Sequence, residues 1–106
     1  MRYVFPAVLT WDEGDGVYYV DFPDTEDYFG CYTYGQDLFE ALENAEDALS
    51  LMLWGAEEDG LPIPEPSAIG DIDAPAGAIV TLVRADTEAY AAMIERERAR
   101  TEAAAS

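Results

Sequence analysis

The stretch that decides the fold is Thr33 to Pro66, TYGQDLFEALENAEDALSLMLWGAEEDGLPIPEP. From Leu38 onward its apolar residues fall into a new rhythm. Leu38, Ala41, Leu42, Ala45, Ala48, Leu49, Met52, Leu53 and Ala56 recur at three and four residues, the mark of an amphipathic helix. The spacing predicts that helix from about Asp37 to Asp59. Asp37 with Glu40 three residues later fits a capping box, with Asp in place of Ser or Thr. Gly60 suits the position after the C-cap. Such a helix is about 34 Å long and crosses a whole small domain. Leu61-Pro62-Ile63-Pro64-Glu65-Pro66 then reads as a rigid extended connector.

Toward the N-terminus the reading is β. Tyr3 to Trp11 is rich in β-branched and aromatic residues and predicts a strand, with Pro6 implying an irregular or edge position near its start. Asp12-Glu13-Gly14-Asp15-Gly16 is a turn with two glycines free to take positive φ. Val17 to Phe22 completes a hairpin, which Pro23 ends. Asp24 to Gly30 is a polar loop carrying Tyr28 and Phe29. Cys31 to Tyr34 is a short third strand, closed by Gly35. Beyond the connector, Ile69 to Ala76 reads as loop. Gly77 to Val83 is a strand whose apolar run predicts a central position. A last helix starts at Thr87, read as its N-cap, with Tyr90, Met93 and Ile94 to bury. After Ile94 the chain has helix propensity but no apolar face, which predicts fraying unless something binds it. The order is β-β-β-α-β-α. A right-handed crossover would set the fourth strand parallel beside the first, giving an α+β fold: one mixed sheet with a long helix on one face.

Composition narrows the chemistry. Among 106 residues there are 23 acids against five arginines, with no Lys and no His, for a net charge of −18. Without His there is no Ser-His-Asp or Cys-His machinery; without Lys there is no Schiff base and no Walker A lysine. A basic patch for phosphate backbones is out of reach, so neither nucleic acid nor an anionic membrane surface is an expected partner. Half the residues are apolar and 12% are aromatic, which predicts one folded domain rather than disorder. Cys31 is single, no apolar run reaches 18 residues, and the start lacks the apolar core of a secretion signal; these predict the cytoplasm. No cofactor is implied.

The long helix carries the clearest signal for function. At 100° per residue, Glu40, Glu46, Asp47, Glu57 and Glu58 fall within about 60° of Glu43, together with Phe39 and Trp54. No basic residue stands at i+3 or i+4, and Glu57, Glu58 and Asp59 oppose the helix dipole. Such local violations mark function. Glu43, Glu46, Asp47, Trp54, Glu57 and Glu58 are therefore candidates for meeting a basic partner, with Trp54 as anchor; the alternative has Trp54 covered by the connector or the last helix. Tyr28 and Phe29 are a second candidate contact, or else tuck under the helix end. An EF-hand starting at Asp12 fails, with Val17 and Pro23 where Gly and Glu belong.

Phe22-Pro23-Asp24, then Thr33-Tyr34-Gly35 before Asp37-Leu38-Phe39-Glu40-Ala41-Leu42, then Gly60-Leu61-Pro62-Ile63-Pro64-Glu65-Pro66-Ser67, together resemble the HicB-like antitoxins. The resemblance covers Met1 to Tyr90. It implies a degraded, partial RNase H-like fold, structural roles for Phe22, Pro23, Asp24, Thr33, Gly35, Asp37, Glu40, Ala41, Gly60, Pro64 and Pro66, and dimers or tetramers. It also implies a partner: a small basic ribonuclease toxin, HicA, with a catalytic His. Many members add a DNA-binding module; the 16 residues after Tyr90 are too few for one, so residues 91–106 are expected to be a helical tail. The first strand lacks the acid that RNase H chemistry needs, leaving only Glu40 or Glu43 and Asp86 for the other ligand places, so no catalysis is expected. The expected function is antitoxin masking of a HicA-type toxin. The competing reading is an acidic adaptor or nucleic-acid mimic that binds some other basic protein.

Overall fold

The computed structural model describes residues 1–26 and 30–105. The strands are β1 (Arg2–Asp12), β2 (Val17–Asp21), β3 (Tyr32–Gly35) and β4 (Ile79–Asp86); the helices are α1 (Leu38–Glu58) and α2 (Thr87–Ala105). The predicted order β-β-β-α-β-α is the observed one. The strands form one sheet in the order β3-β2-β1-β4. Phe5, Ala7 and Leu9 of β1, Val20 of β2, and Val83 and Ala85 of β4 turn to one face. There they bury against Ala41, Ala45, Leu49 and Leu53 of α1.

The sheet is antiparallel throughout, not mixed. β4 does lie beside β1, as the crossover argument has it, but runs against it, with Arg2 opposite Asp86 and Leu9 opposite Ile79. The connector explains the reversal. α1 starts at the Gly35 end of β3 and ends near the start of β1, where the Tyr3 hydroxyl reaches Glu57. Residues 59–78 then travel back along the other face of the sheet, so β4 enters from the far end. Such a segment spans tens of ångströms when extended, more than the roughly 31 Å of α1. Pro6 and Val8, on that second face, are buried.

β4 is an edge strand, not a central one. Its apolar run reflects burial of Val83 and Ala85 under α1, while Ile79 and Leu82 stay exposed. β1 is interior, yet its ladder with β2 begins only at Val8. Pro6 therefore sits where β1 has no strand on its β2 side, and its missing N–H costs no ladder bond.

Asp24, Asp37, Glu40 and Gly60 make bonds that fix the ends of these elements. Asp37 caps α1, its carboxylate accepting from the Glu40 N–H at 2.8 Å; Glu40 returns to the Gln36 N–H. At the other end Gly60 takes φ +66°. The Gly60 N–H donates to the Glu57 carbonyl and the Leu61 N–H to that of Ala56, which is a Schellman motif. Asp24 fixes the connector: its two carboxylate oxygens accept from the Ser67 N–H at 2.7 Å and the Ser67 hydroxyl at 2.6 Å. Thr25, fully buried, donates to the Phe22 carbonyl and accepts from the Cys31 N–H. It closes the base of the loop whose residues Tyr28 and Phe29 lie outside the described residues. Cys31 is itself buried, and burial first, then the nearby Asp21, pushes its thiol up to about 12. It is a buried, inert thiol just before β3, which starts at Tyr32 rather than at Cys31.

α2 differs from expectation at both ends. Its cap is Asp86, whose carboxylate accepts from the Ala89 N–H at 3.0 Å. Thr87 is already helical, and its hydroxyl accepts from the chain's N-terminal ammonium at 2.9 Å. The helix then continues to Ala105, exposed from Glu95 to Ala103 and supported by Glu95–Arg98 and Glu97–Arg100 pairs. This projecting rod stretches the molecule to 53 × 32 × 18 Å and its radius of gyration to 15.3 Å, against about 13 Å for a compact chain of this length.

Two predictions follow from these contacts. A Cβ on Gly35 would stand 2.5 Å from the Ala41 Cα and 2.8 Å from the Glu40 carbonyl carbon. Gly35→Ala should therefore destabilise by about 3 kcal/mol or more, read as a shifted urea midpoint, while Gly55→Ala, with open space around it, should not destabilise. The Tyr3–Glu57 bond links β1 to the end of α1 at 2.6 Å. Burial, then the bond to Glu57, pushes the Tyr3 hydroxyl up to about 12. Burial raises Glu57 too, but the bonds from Tyr3 and Thr87 and the N-terminal charge hold it below its ordinary value. Because the folded Tyr3 value is raised, its contribution is complete below the unfolded value of about 10 and is lost between there and about 12. The Glu57 contribution, from a lowered value, disappears as pH falls below the ordinary carboxylate range. Tyr3→Phe should cost about 1 kcal/mol at pH 7, and the gap to the parent should close above pH 10 in paired unfolding curves.

Candidate partner-binding surfaces

The acidic face predicted on α1 is real but divided. α2 lies across it, and Tyr90 packs on Trp54 with ring centroids 5.7 Å apart. Trp54 is thus half-buried under the last helix, an intramolecular contact rather than an open anchor. Glu57 is bonded to Tyr3. Glu46 accepts from Arg84 of β4 at 2.8 Å, and that pairing keeps the Arg84 guanidinium even more firmly protonated than usual. Glu43, Asp47 and Glu58 remain exposed, as does Phe39, 78% exposed at the first turn. Among the described residues none of these four has an ion pair. The structure therefore gathers Glu43 and Asp47 on one flank and leaves Glu58 apart at the helix end.

Sequence reasoning missed a second surface, on the face of the sheet away from α1. There the returning connector and strands β1 to β3 enclose a groove of about 680 Å³. Five carboxylates line it: Asp21, Asp24, Glu26, Asp71 and Asp73. Tyr19 and Tyr32 form its aromatic wall, and no arginine lines it. Tyr32 is 65% exposed and Tyr34 beside it 54%. Tyr34 meets Tyr19 edge to face at 6.2 Å. The hydrogen bond to Asp15, then burial, pushes the Tyr19 hydroxyl up to about 12, so this ring stays neutral at physiological pH. The signal was present in the alternation: Tyr32 and Tyr34 flank Thr33, so they share one face of β3. The acids of residues 71 and 73 reach this face only because the connector turns back over the sheet.

The arginines are segregated from this groove. Arg2, Arg84 and Arg96 line a cleft of about 790 Å³ between β1, β4, α1 and α2, shared with Glu46, Asp47 and Asp86. Asp86, the residue weighed as a metal ligand, caps α2 and lies 3.5 Å from Arg2. The Ala89 N–H, and beyond it Arg2, hold its carboxyl below the usual range despite some desolvation. Among the described residues no three acids or cysteines converge as a metal ion requires. No helix is long and apolar enough to cross a membrane among those residues.

Comparison with known proteins places this geometry. The model of the HicB-like antitoxin of bacterial toxin–antitoxin systems matches residues 5–100. Among solved structures, a chain of a toxin–antitoxin complex from Streptococcus pneumoniae is similar at TM-score 0.70 and 25% identity, over 85% of this chain and 73% of that one. The N-terminal domain of the Burkholderia pseudomallei antitoxin HicB is similar at TM-score 0.64 and 27% identity, over 76% of this chain and 95% of that one. A chain of a HicA3 and HicB3 toxin–antitoxin complex shares the fold at TM-score 0.62 and 24% identity, over 79% and 99%. No curated protein matches significantly. With the family model spanning both the sheet and most of α2, the chain belongs to the HicB-like antitoxins.

Proposed function

We propose that this antitoxin acts without catalysis, by binding and masking a small basic toxin of the HicA type in the cytoplasm. The observation that carries the reading is the groove on the outer face of the sheet. Four exposed carboxylates, Asp21, Glu26, Asp71 and Asp73, line it beside Tyr19 and Tyr32, with no arginine among them, on a chain of net charge −18. A basic RNA-binding surface is the complement of such a face. Guanidinium groups pair with carboxylates and stack on aromatic rings, so one arginine can use both elements of the wall. The acids would mainly speed encounter, while the tyrosines supply the desolvated contacts that hold the complex. Two neighbours in fold are themselves chains of toxin–antitoxin complexes, which supports a toxin as the partner. The exposed acids Glu43, Asp47 and Glu58 extend the same field around the α1 side, and Tyr28 and Phe29, outside the described residues, remain a second proposed contact.

The remaining parts of the reading are as follows. Residues 1–90 form the antitoxin domain, in the partial RNase H-like arrangement of the family, and residues 91–106 a helical tail. The chain self-associates, and neither nucleic acid nor membrane is a direct partner.

The test is a titration of a HicA-type toxin, with inhibition of its RNA cleavage as a second readout. Tyr32→Ala with Asp73→Asn should weaken binding at least tenfold and restore cleavage. Glu43→Gln with Asp47→Asn should weaken it less than threefold. Raising salt from 0.05 to 0.5 M should lower the association rate more than it raises the dissociation rate. A reversed order of the two double variants would move the interface to α1, and no binding at either salt would reject the masking reading.

A further inference from the structure

We infer that the free edge of β4 is where two copies of this chain meet, pairing antiparallel about a two-fold axis near Leu82 into one continuous sheet. The inference rests on the proposed self-association and says which surface performs it. β4 offers an uninterrupted edge of eight residues, Ile79–Asp86, without proline. Among the described residues, no main-chain group of Ile79 to Ala85 hydrogen-bonds to anything outside the ladder with β1. In an antiparallel pair alternate N–H and C=O groups point away from the neighbour, so these groups form a template for another strand. A shallow groove of about 280 Å³ runs along this edge, lined by Val4, Leu42 and Leu82 with Glu46 and Arg84. Leu82 is 53% exposed and Val4 47%.

Charge singles out the second copy as occupant. At net −18, two copies repel wherever acids face acids. At the β4 edge the charges cancel locally: Arg84 pairs with Glu46, and Arg2 with Asp86. Approach there costs little electrostatic work, and the apolar rim supplies the attraction. A basic toxin gains nothing from a neutral edge; its complement is the acidic groove on the other side of the molecule. The opposite edge of the sheet is a poorer template. β3 has four residues, its Tyr34 carbonyl is taken by the Asn44 side chain, and the acidic groove flanks it. Self-pairing of one edge with itself is isologous, so it closes at two copies and does not propagate as a fibre.

The experiment is sedimentation equilibrium of the full chain at 0.15 M salt, with far-UV circular dichroism to verify folding. The parent should run at about 23 kDa, twice 11.6 kDa, or at a higher multiple. Leu82→Glu puts two carboxylates within about 5 Å of each other across the axis, and the mass should fall by half or more. Leu82→Lys places two like charges of the other sign there and should do the same, so the result does not hang on one variant folding. Tyr32→Glu, on the β3 edge, should leave the mass unchanged. A parent that is monomeric would overturn both the self-association and this surface. A mass that persists in both Leu82 variants would overturn the surface alone, and toxin binding lost in those variants while Tyr32→Glu retains it would assign the edge to the toxin instead.

Discussion

Much of this molecule depends on one atom that is missing. β3 ends against the first turn of α1 so closely that a Cβ at Gly35 would overlap the backbone of Glu40 and Ala41. With no side chain at 35 and only methyl groups at 41 and 45, α1 lies nearly on the strands at its start. Farther along, Leu49 and Leu53 bury fully. That tilt carries the helix end over the start of β1, where Tyr3 meets Glu57 and Thr87 meets the chain's first residue. The start of the chain, the end of α1 and the junction of β4 with α2 are thereby drawn together. α2 can then rest on Trp54. The motif residues act as this geometry requires: Gly35 and Ala41 permit the approach, Asp37 and Gly60 fix where the helix starts and stops, and Asp24 holds the connector that returns across the other face.

The distribution of charge follows from the same path. The connector sends its acids to the sheet face that α1 leaves open, where they join those of β2 and the short turn after it. The arginines fall elsewhere, at the start of β1, on β4 and along α2. One side of the molecule is therefore strongly anionic and the β4 side close to neutral. A uniformly acidic surface would bind basic partners weakly everywhere and repel its own copies everywhere. Segregation permits two contacts of different kinds on one small domain, one steered by charge and one built on main-chain pairing and apolar contact.

The parts of the fold legible in the sequence were those with local causes. Helical periodicity from Leu38, the capping pair Asp37 and Glu40, the glycine stop at 60 and the acidic turn before Val17 are all written within a few residues of where they act. Strand direction is not. Whether β4 runs with or against β1 depends on the route of residues 59–78, which is pinned by two bonds between Asp24 and Ser67, 43 residues apart. The edge position of β4 was hidden for a related reason: its alternate residues bury under α1, which makes an edge strand read like a central one. Trp54 had two readings in the sequence, an anchor for a partner or a ring covered by the connector or the last helix, and Tyr90 of α2 packs on it. Thr87 reads as a cap by type, yet Asp86 before it takes the role, since the Thr87 hydroxyl is drawn to the N-terminus.

The kind of partner proposed rests on charge and residue types, which are properties of composition and can be read from the sequence. Locating the contact requires knowing which acids gather, and acids far apart in sequence gather only when the chain is folded. The helix-face argument found acids that share an element, which is all that periodicity can reveal, and α2 then divided that face. The groove draws Asp21 from a strand, Asp24 and Glu26 from the turn after it, and Asp71 and Asp73 from the connector. Two short bonds from Ser67 to Asp24 hold the connector there, with Pro64 buried. In the proposed function the acids steer the partner, while the tyrosines supply the area that water must leave.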